Sequence, residues 1–387
     1  MWIRPILSAL LFAIALLAVV PAPTTTLWIV SIAAMGWGYI VAILALLLMF
    51  LPPRQGKRAG ISTLLNLATI GLALSPLVRA ASIARVLPAR VATFGDTAPR
   101  ALPDASPRSR PLSVARLVLP ASTPGVVMST EKYATGPGGD LYLDIYRRPT
   151  AGAAATPAAA APLVLMIHGG SWSGGSRRDL APLNKYLAAR GYVVASPDYR
   201  FAPAYPFPAA RDDVRDAIAY LRANAARLGI DPTRVVTMGR SAGGELALLV
   251  AYTTPDVGIR GAVGYYAPSD LRYGFTHPSN PRVLNSTRVL EQYLGGTPTT
   301  AGAAYDAASP INFATSAVPT LLLHGDADEL VSVMQSVRLD SALARAGRPH
   351  LFLRLPWATH GCDYNFLGPC AQLGTFALER FLAAVTR

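Results

Sequence analysis

The sequence predicts an α/β protein with a mostly parallel sheet, helices on both faces and a small lid, preceded by a membrane region. Two observations lead to this. From residue 131 onward, short wholly apolar runs alternate with longer amphipathic ones. Strands apolar on both faces need cover on both sides, and the amphipathic runs between them supply it. The first 80 residues, by contrast, are almost continuously apolar and contain no acid.

The chain has 387 residues, enough for a core of about 250 residues plus that N-terminal region. Three apolar segments occur: Ile3 to Val20, whose one charge is Arg4, then Leu27 to Leu51 and Ile61 to Val78, both uncharged. A span needs about 20 apolar residues. The second qualifies clearly and the first is just long enough. The third holds Ser62, Thr63, Asn66, Thr69, Ser75 and Pro76, which makes it marginal, and an interfacial helix is its alternative. The first segment also has the form of a signal peptide, but the second would still leave the mature chain in a membrane.

The formal charge of +13 is unevenly spread. Residues 1–130 hold 11 Lys and Arg against 2 acids, leaving 24 against 20 in the remainder. The surplus flanks the apolar segments, so a nucleic-acid partner is not expected. Arg54, Lys57 and Arg58 should stay cytoplasmic, with the N-terminus inside and the Pro21–Thr26 loop outside. If the third segment crosses, the C-terminal domain lies outside; otherwise it is cytoplasmic. Cys362 and Cys370, the two cysteines, are close enough for one local disulfide, which favours the outside.

Residues 81–130 are rich in Pro, Arg and Ala and read as a linker with little fixed structure. Ala151 to Ala161 is a second low-complexity loop. In the domain from 131 to 387, Leu141–Tyr146 alternates as an edge strand. Buried strands are expected at Leu163–Ile167, Tyr192–Ala195, Val235–Met238, Ala262–Tyr265, Thr320–Leu323 and Leu351–Leu355. Helices are expected at Asp179–Arg190, Ala209–Leu228, Ala242–Tyr252, Val333–Ala346 and Gln372–Val385. The stretch from about 269 to 310 breaks the alternation and reads as the lid.

Four motifs fall at strand ends. Gly239-Arg240-Ser241-Ala242-Gly243 sits between a β-branched run and a helix-forming run, the context of a sharp turn that exposes a nucleophilic Ser241. His168-Gly169-Gly170-Ser171-Trp172 ends the first buried strand. There the N–H groups of Gly169 and Gly170, with that of Ala242, are candidates to hold an oxyanion. His168 is read as a brace for that loop, and Trp172 as an acyl-pocket wall or a core residue. After a late strand come Asp326, Asp328 and Glu329, of which an orienting carboxylate is one; Asp328 is preferred, Asp326 competes, and Glu329 is remote. His360, just past the last strand, is the one of five histidines that follows both nucleophile and acid at the correct edge of the sheet. Metal-ligand spacings such as CxxC or HExxH do not occur.

Taken together and in order, these motifs resemble the α/β-hydrolases over roughly residues 125–387. The match is closest to the carboxylesterase group related to hormone-sensitive lipase and the bacterial feruloyl-esterase-like enzymes. Pro197-Asp198-Tyr199-Arg200-Phe201-Ala202-Pro203 is also similar to a segment of that group. The resemblance implies the α/β-hydrolase fold, serine esterase activity on small to medium esters, no cofactor, and Asp328 over Asp326. Many relatives of hormone-sensitive lipase carry an acid before the nucleophile, where this chain has Arg240. That favours the feruloyl-esterase-like branch and leaves the acyl preference open. The rival readings are an amidase or formamidase of the same fold, and a catalytically silent membrane-anchored binding protein. Oligomeric state is not legible.

Overall fold

The computed structural model describes residues 3–51, 57–95, 106–149, 160–254 and 258–387. Arg54, the side chains of Lys57 and Arg58, and nearly all of the Ala151–Ala161 loop lie outside the described residues. The N-terminal region forms α1 (Ile3–Leu16), α2 (Thr25–Gly36), α3 (Gly38–Met49) and α4 (Lys57–Val91). The C-terminal region follows as β1 (Val127–Gly136), β2 (Gly139–Arg147), β3 (Ala161–Ile167), α5 (Ala181–Ala189), β4 (Val193–Pro197), α6 (Ala209–Ala223), α7 (Ala225–Leu228), β5 (Ile230–Arg240) and α8 (Ala242–Thr253). It continues with β6 (Ile259–Tyr265), α9 (Leu271–Thr276), α10 (Ser286–Leu294), α11 (Gly302–Ala307), β7 (Thr320–Gly325), α12 (Met334–Arg345), β8 (His350–Leu355) and α13 (Pro369–Val385).

The eight strands form one sheet in the order β1-β2-β4-β3-β5-β6-β7-β8. Pairings β1–β2 and β2–β4 are antiparallel and the rest are parallel. Alternate residues of β3 serve opposite cores. Leu163, Leu165 and Ile167 pack with α6, α8 and α12, while Val164 and Met166 pack with α5 and α13. Both faces are therefore apolar and both are covered. The expected lid region holds α9, α10 and α11.

The N-terminal helices differ from expectation in two ways. The second apolar segment, expected as one span, is α2 and α3 bent by 80° at Trp37. Trp37 leaves helical geometry (φ −119°, ψ 20°), and Gly38 packs so tightly on α4 that a Cβ there would lie 2.1 Å from the Ala73 carbonyl oxygen. The marginal third segment lies within α4, the one unbroken helix among the described residues that is long and apolar enough to cross a bilayer. Arg4 donates to the Leu51 carbonyl at 3.0 Å and to Thr63 Oγ1 at 3.1 Å. The start of α1, the end of α3 and the start of α4 thus share one end of a bundle that runs up, down and up. Helix α2 lies across its other end.

The linker expected over 81–130 is also corrected. Helix α4 runs through its first part to Val91, and Ala80, Leu87 and Val91 join the core that contains Phe376 and Phe381. Their spacing of seven and four is a helical stripe, which the Arg-rich composition concealed. Arg90 Nη2 donates to the Phe352 carbonyl at 2.7 Å. Farther on, the Arg108 N–H donates to Glu379 Oε2 at 2.9 Å and the Ser113 N–H to Gln372 Oε1 at 2.8 Å, fixing this segment on α13. The boundary expected at residue 131 falls inside β1.

Candidate active site

The interior strand β5 delivers Ser241 at the carboxyl end of the parallel strands, and α8 begins at the next residue. Ser241 has φ 52° and ψ −126°, a backbone region costly for any residue with a side chain. The turn holds because the chain passes itself at contact distance. A Cβ at Gly239 would lie 2.0 Å from the Gly243 carbonyl oxygen, and one at Gly243 would lie 2.2 Å from that of His168. The Ser241 N–H donates to the Tyr265 carbonyl at 3.0 Å, and the Ser241 carbonyl accepts from Gly244 and Glu245.

The double-glycine loop after β3 lies against this turn. A Cβ at Gly169 would sit 3.3 Å from Ser241 Cβ and 3.0 Å from the Arg240 carbonyl oxygen. Gly170 has φ 119°, and Ala242 opens α8 beside the serine. His168 is fully buried, stacks on Tyr199 at 4.3 Å and accepts the Tyr199 hydroxyl on its carbonyl at 3.1 Å. Burial pushes its imidazole pKa down, so it stays neutral inside the brace.

The two aspartates after β7 diverge. Asp326 pairs with Arg354 at 2.5 Å on the surface side. Asp328 is buried, with Oδ2 2.8 Å from His360 Nδ1 and 3.2 Å from His324 Nε2. Its Oδ1 accepts the N–H groups of Leu330 at 2.9 Å and Val331 at 2.8 Å. Burial alone would raise the Asp328 pKa. The His360 charge and the hydrogen bonds from His324 and His360 outweigh it and hold the carboxyl well below the usual carboxylate range. Glu329 also lines the cavity but accepts the Ala22 N–H instead of meeting a histidine. No hydrogen bond joins the Ser241 hydroxyl to His360 among the described residues; such contacts commonly tighten only around a bound substrate.

Ser241, Asp328 and Trp172 line a cavity of about 520 Å³ whose lid side carries Leu271, Leu284 and Leu290. Trp172 stacks on Tyr293 at 4.1 Å, and its Nε1–H donates to Glu245 Oε2 at 2.9 Å. Tyr293 donates to the same oxygen at 3.3 Å. Glu245 was not anticipated, although an acid in the apolar run of α8, four residues past the serine, is a visible irregularity. It is wholly buried, and burial pushes its pKa up to about 8 against the hydrogen bonds from Trp172 and Tyr293. A second unanticipated group joins the serine turn to the histidine loop. Arg240 pairs with the buried Asp363, whose Oδ1 accepts the Tyr266 hydroxyl at 2.6 Å, and the Tyr266 ring lies 4.4 Å from that of His360. Cys362 in the same loop is bonded to Cys370 in the first turn of α13. Among the described residues no cluster of His, Cys, Asp and Glu is arranged to hold a metal ion.

The BD-FAE family model matches residues 143–343. LipM of Mycobacterium tuberculosis, named a probable carboxylic ester hydrolase, is 32% identical over 260 residues, covering 63% of this chain and 58% of that protein. The esterase LipQ of the same organism is 32% identical over 244 residues, covering 59% of this chain and 56% of that one. The chain therefore spans a little over half the length of these relatives. A bacterial heroin esterase superposes with a TM-score of 0.59 at 22% identity, over 69% of this chain and 86% of the other, which fixes the fold as that of the α/β-hydrolases. Because the family model matches more than half of the sequence, from β2, which is no edge strand since β1 pairs along its outer side, into α12, the chain belongs to the BD-FAE family.

Proposed function

We propose that the protein is a membrane-anchored serine carboxylesterase acting on small to medium esters through an acyl-enzyme. The observation that carries this is the Asp328–His360 hydrogen bond on the same sheet edge as the strained Ser241 turn. In this reading His360 Nε2 removes the Ser241 proton as Oγ attacks the ester carbonyl. Asp328 accepts the Nδ1–H, fixes the tautomer and stabilises the imidazolium. The N–H groups of Gly169, Gly170 and Ala242 receive the oxyanion, each worth about 3 kcal/mol of barrier lowering. His360 then protonates the leaving alkoxide, and water repeats the sequence on the acyl-enzyme. Trp172, locked by Glu245 and Tyr293, walls the acyl side. The test is labelling with a fluorophosphonate alongside turnover of matched ester and amide substrates. Ser241→Ala is expected to lose both labelling and ester turnover. Equal labelling of the variant would place the nucleophile elsewhere, and amide turnover matching ester turnover would make the protein an amidase.

The anchor is the α1–α4 region. Its surface carries Ile6, Ile43, Leu47, Leu64 and Leu67 exposed, a surface suited to lipid and not to water. With the basic end of the bundle cytoplasmic, α4 delivers the catalytic domain to the outside, and the Cys362–Cys370 bond fits an oxidising compartment. A topology reporter fused to the C-terminus tests this; a cytoplasmic signal would reverse it.

A further inference from the structure

The connection from α1 to α2, and α2 itself, pack against segments that line or flank the cavity. The Ala22 N–H donates to the carboxylate of Glu329, a cavity-lining residue next to Asp328. The Thr25 N–H donates to the Arg282 carbonyl at 3.1 Å, and its hydroxyl to the Val283 carbonyl at 2.7 Å, at the lid side. One turn on, the Trp28 ring lies 6.4 Å from that of His360. Ile32 is buried against the histidine loop, 3.4 Å from where a Cβ of Gly361 would be. At the end of α2, Asn365 Nδ2 donates to the Gly36 carbonyl at 2.7 Å. Helix α2 therefore runs from the lid to the loop that carries His360, bridging the two segments that flank the cleft.

Its other side is apolar and open. Leu27 is 38% exposed and Ile29 is 57% exposed, and Val19 and Val20 continue this surface onto the α1 connection. The same surface passes onto the exposed apolar side chains of α1 and α3. Arg4 lies at the far end of the bundle, and no acid interrupts the first 80 residues. An apolar helix bent by 80° across the end of an apolar bundle has the placement of a segment seated in the headgroup region of a bilayer.

We infer that α2 is both an interfacial membrane helix and a wall of the catalytic cleft, so the cleft takes amphiphilic esters whose long chain remains in the bilayer. This rests on the proposed esterase reading and adds its substrate class. A soluble short ester reaches Ser241 from water, whereas a long-chain ester arrives along the apolar side of α2, past Leu284 and Leu330 at the cavity edge. Binding energy from that remote chain then contributes at the reacting centre.

The experiment uses the full chain in phosphatidylcholine vesicles, with p-nitrophenyl butyrate as the soluble ester and p-nitrophenyl palmitate dissolved in the bilayer. The readout is the ratio of kcat/KM for the long ester to that for the short one. Labelling of Ser241 by a short-chain fluorophosphonate reports that each variant is folded. Ile29→Asp, which puts a charge on the lipid side of α2, and Trp28→Ala, which removes the side chain facing His360, are each expected to lower the ratio about tenfold. An unchanged ratio in variants that still label and still cleave the short ester would overturn the bilayer route and leave the esterase reading standing. A wild-type protein that neither labels nor cleaves the short ester would sink both.

Discussion

Replacing Glu245 by glutamine separates the charge of this buried side chain from its shape. Glu245 Oε2 accepts from Trp172 at 2.9 Å and from Tyr293 at 3.3 Å, while Oε1 is buried without a partner among the described residues. Its pKa rises from the ordinary 4.5 to about 8 because burial penalises the charged form. The sign follows. Below pH 4.5 both folded and unfolded chains hold the proton. Between 4.5 and 8 the unfolded chain releases it and the folded chain keeps it, so stability falls as pH rises. Above 8 both are ionised and the loss is complete. Each pH step of one within that window costs about 1.4 kcal/mol, so from pH 5 to pH 8 this carboxyl removes about 4 kcal/mol. Glutamine keeps the accepting oxygen for Trp172 and Tyr293 and does not ionise. The difference in unfolding free energy between Glu245→Gln and wild type should therefore grow with pH from 5 to 8 and level off above it. Denaturant unfolding of the full chain, followed by tryptophan fluorescence at a series of pH values, measures it, because every other titrating group cancels in the difference. A flat difference curve would mean that Glu245 ionises like a solvated carboxyl and that the burial argument is wrong.

Asp328→Asn should lower kcat by a factor on the order of 10⁴, since an amide no longer holds the His360 tautomer. Asp326→Asn breaks only a half-exposed pair with Arg354 and should change kcat little; the reverse ranking would move the orienting role. Asp363→Asn leaves Arg240 buried without its counter-charge and should destabilise the protein by about 3–5 kcal/mol, while a paired Arg240→Met, Asp363→Asn variant recovers part of that. Unfolding curves of both variants check it, and equal losses would argue that the pair is not coupled. Reduction of the Cys362–Cys370 bond should depress ester turnover before global unfolding, because the bond ties down the chain two residues after His360; it contributes about 2–3 kcal/mol. Turnover that survives until the fluorescence transition would contradict this.

Much of the catalytic domain was legible because its signals are local. The buried strands are short apolar runs, and the serine turn needs glycines at 239 and 243 that the sequence displays. Asp328 was preferred over Asp326, and the two differ in the structure by burial and by partner. What sequence reasoning missed depends on contacts between distant segments. Asp363 gains its meaning only from Arg240, some 120 positions earlier, and Glu245 only from a tryptophan on the loop after β3 and a tyrosine in α10. The linker was misread for a different reason. Its arginines and prolines dominate the composition, while Leu87 and Val91, which with Ala80 just before it seat its first part, are widely spaced among them. The break at Trp37 is hidden in the sequence because Gly36, Trp37 and Gly38 bring no charge into the apolar run around them.

Helix α4 has a mechanical consequence. It spans 35 residues, about 52 Å of continuous helix, and the same rod that packs on α1 and α3 ends inside the catalytic core at Leu87 and Val91. A domain on a slack leash swivels and presents every face to the membrane in turn. In the anchored reading proposed above, the N-terminal bundle and the catalytic body share a spine, so the cleft would keep a constant heading and height above the lipid. Removing the chain through Val91 would then do more than cut the N-terminal bundle away. It would strip a strip of greasy surface bare along α13, and the shortened protein should clump or soften unless the spine is kept to its end.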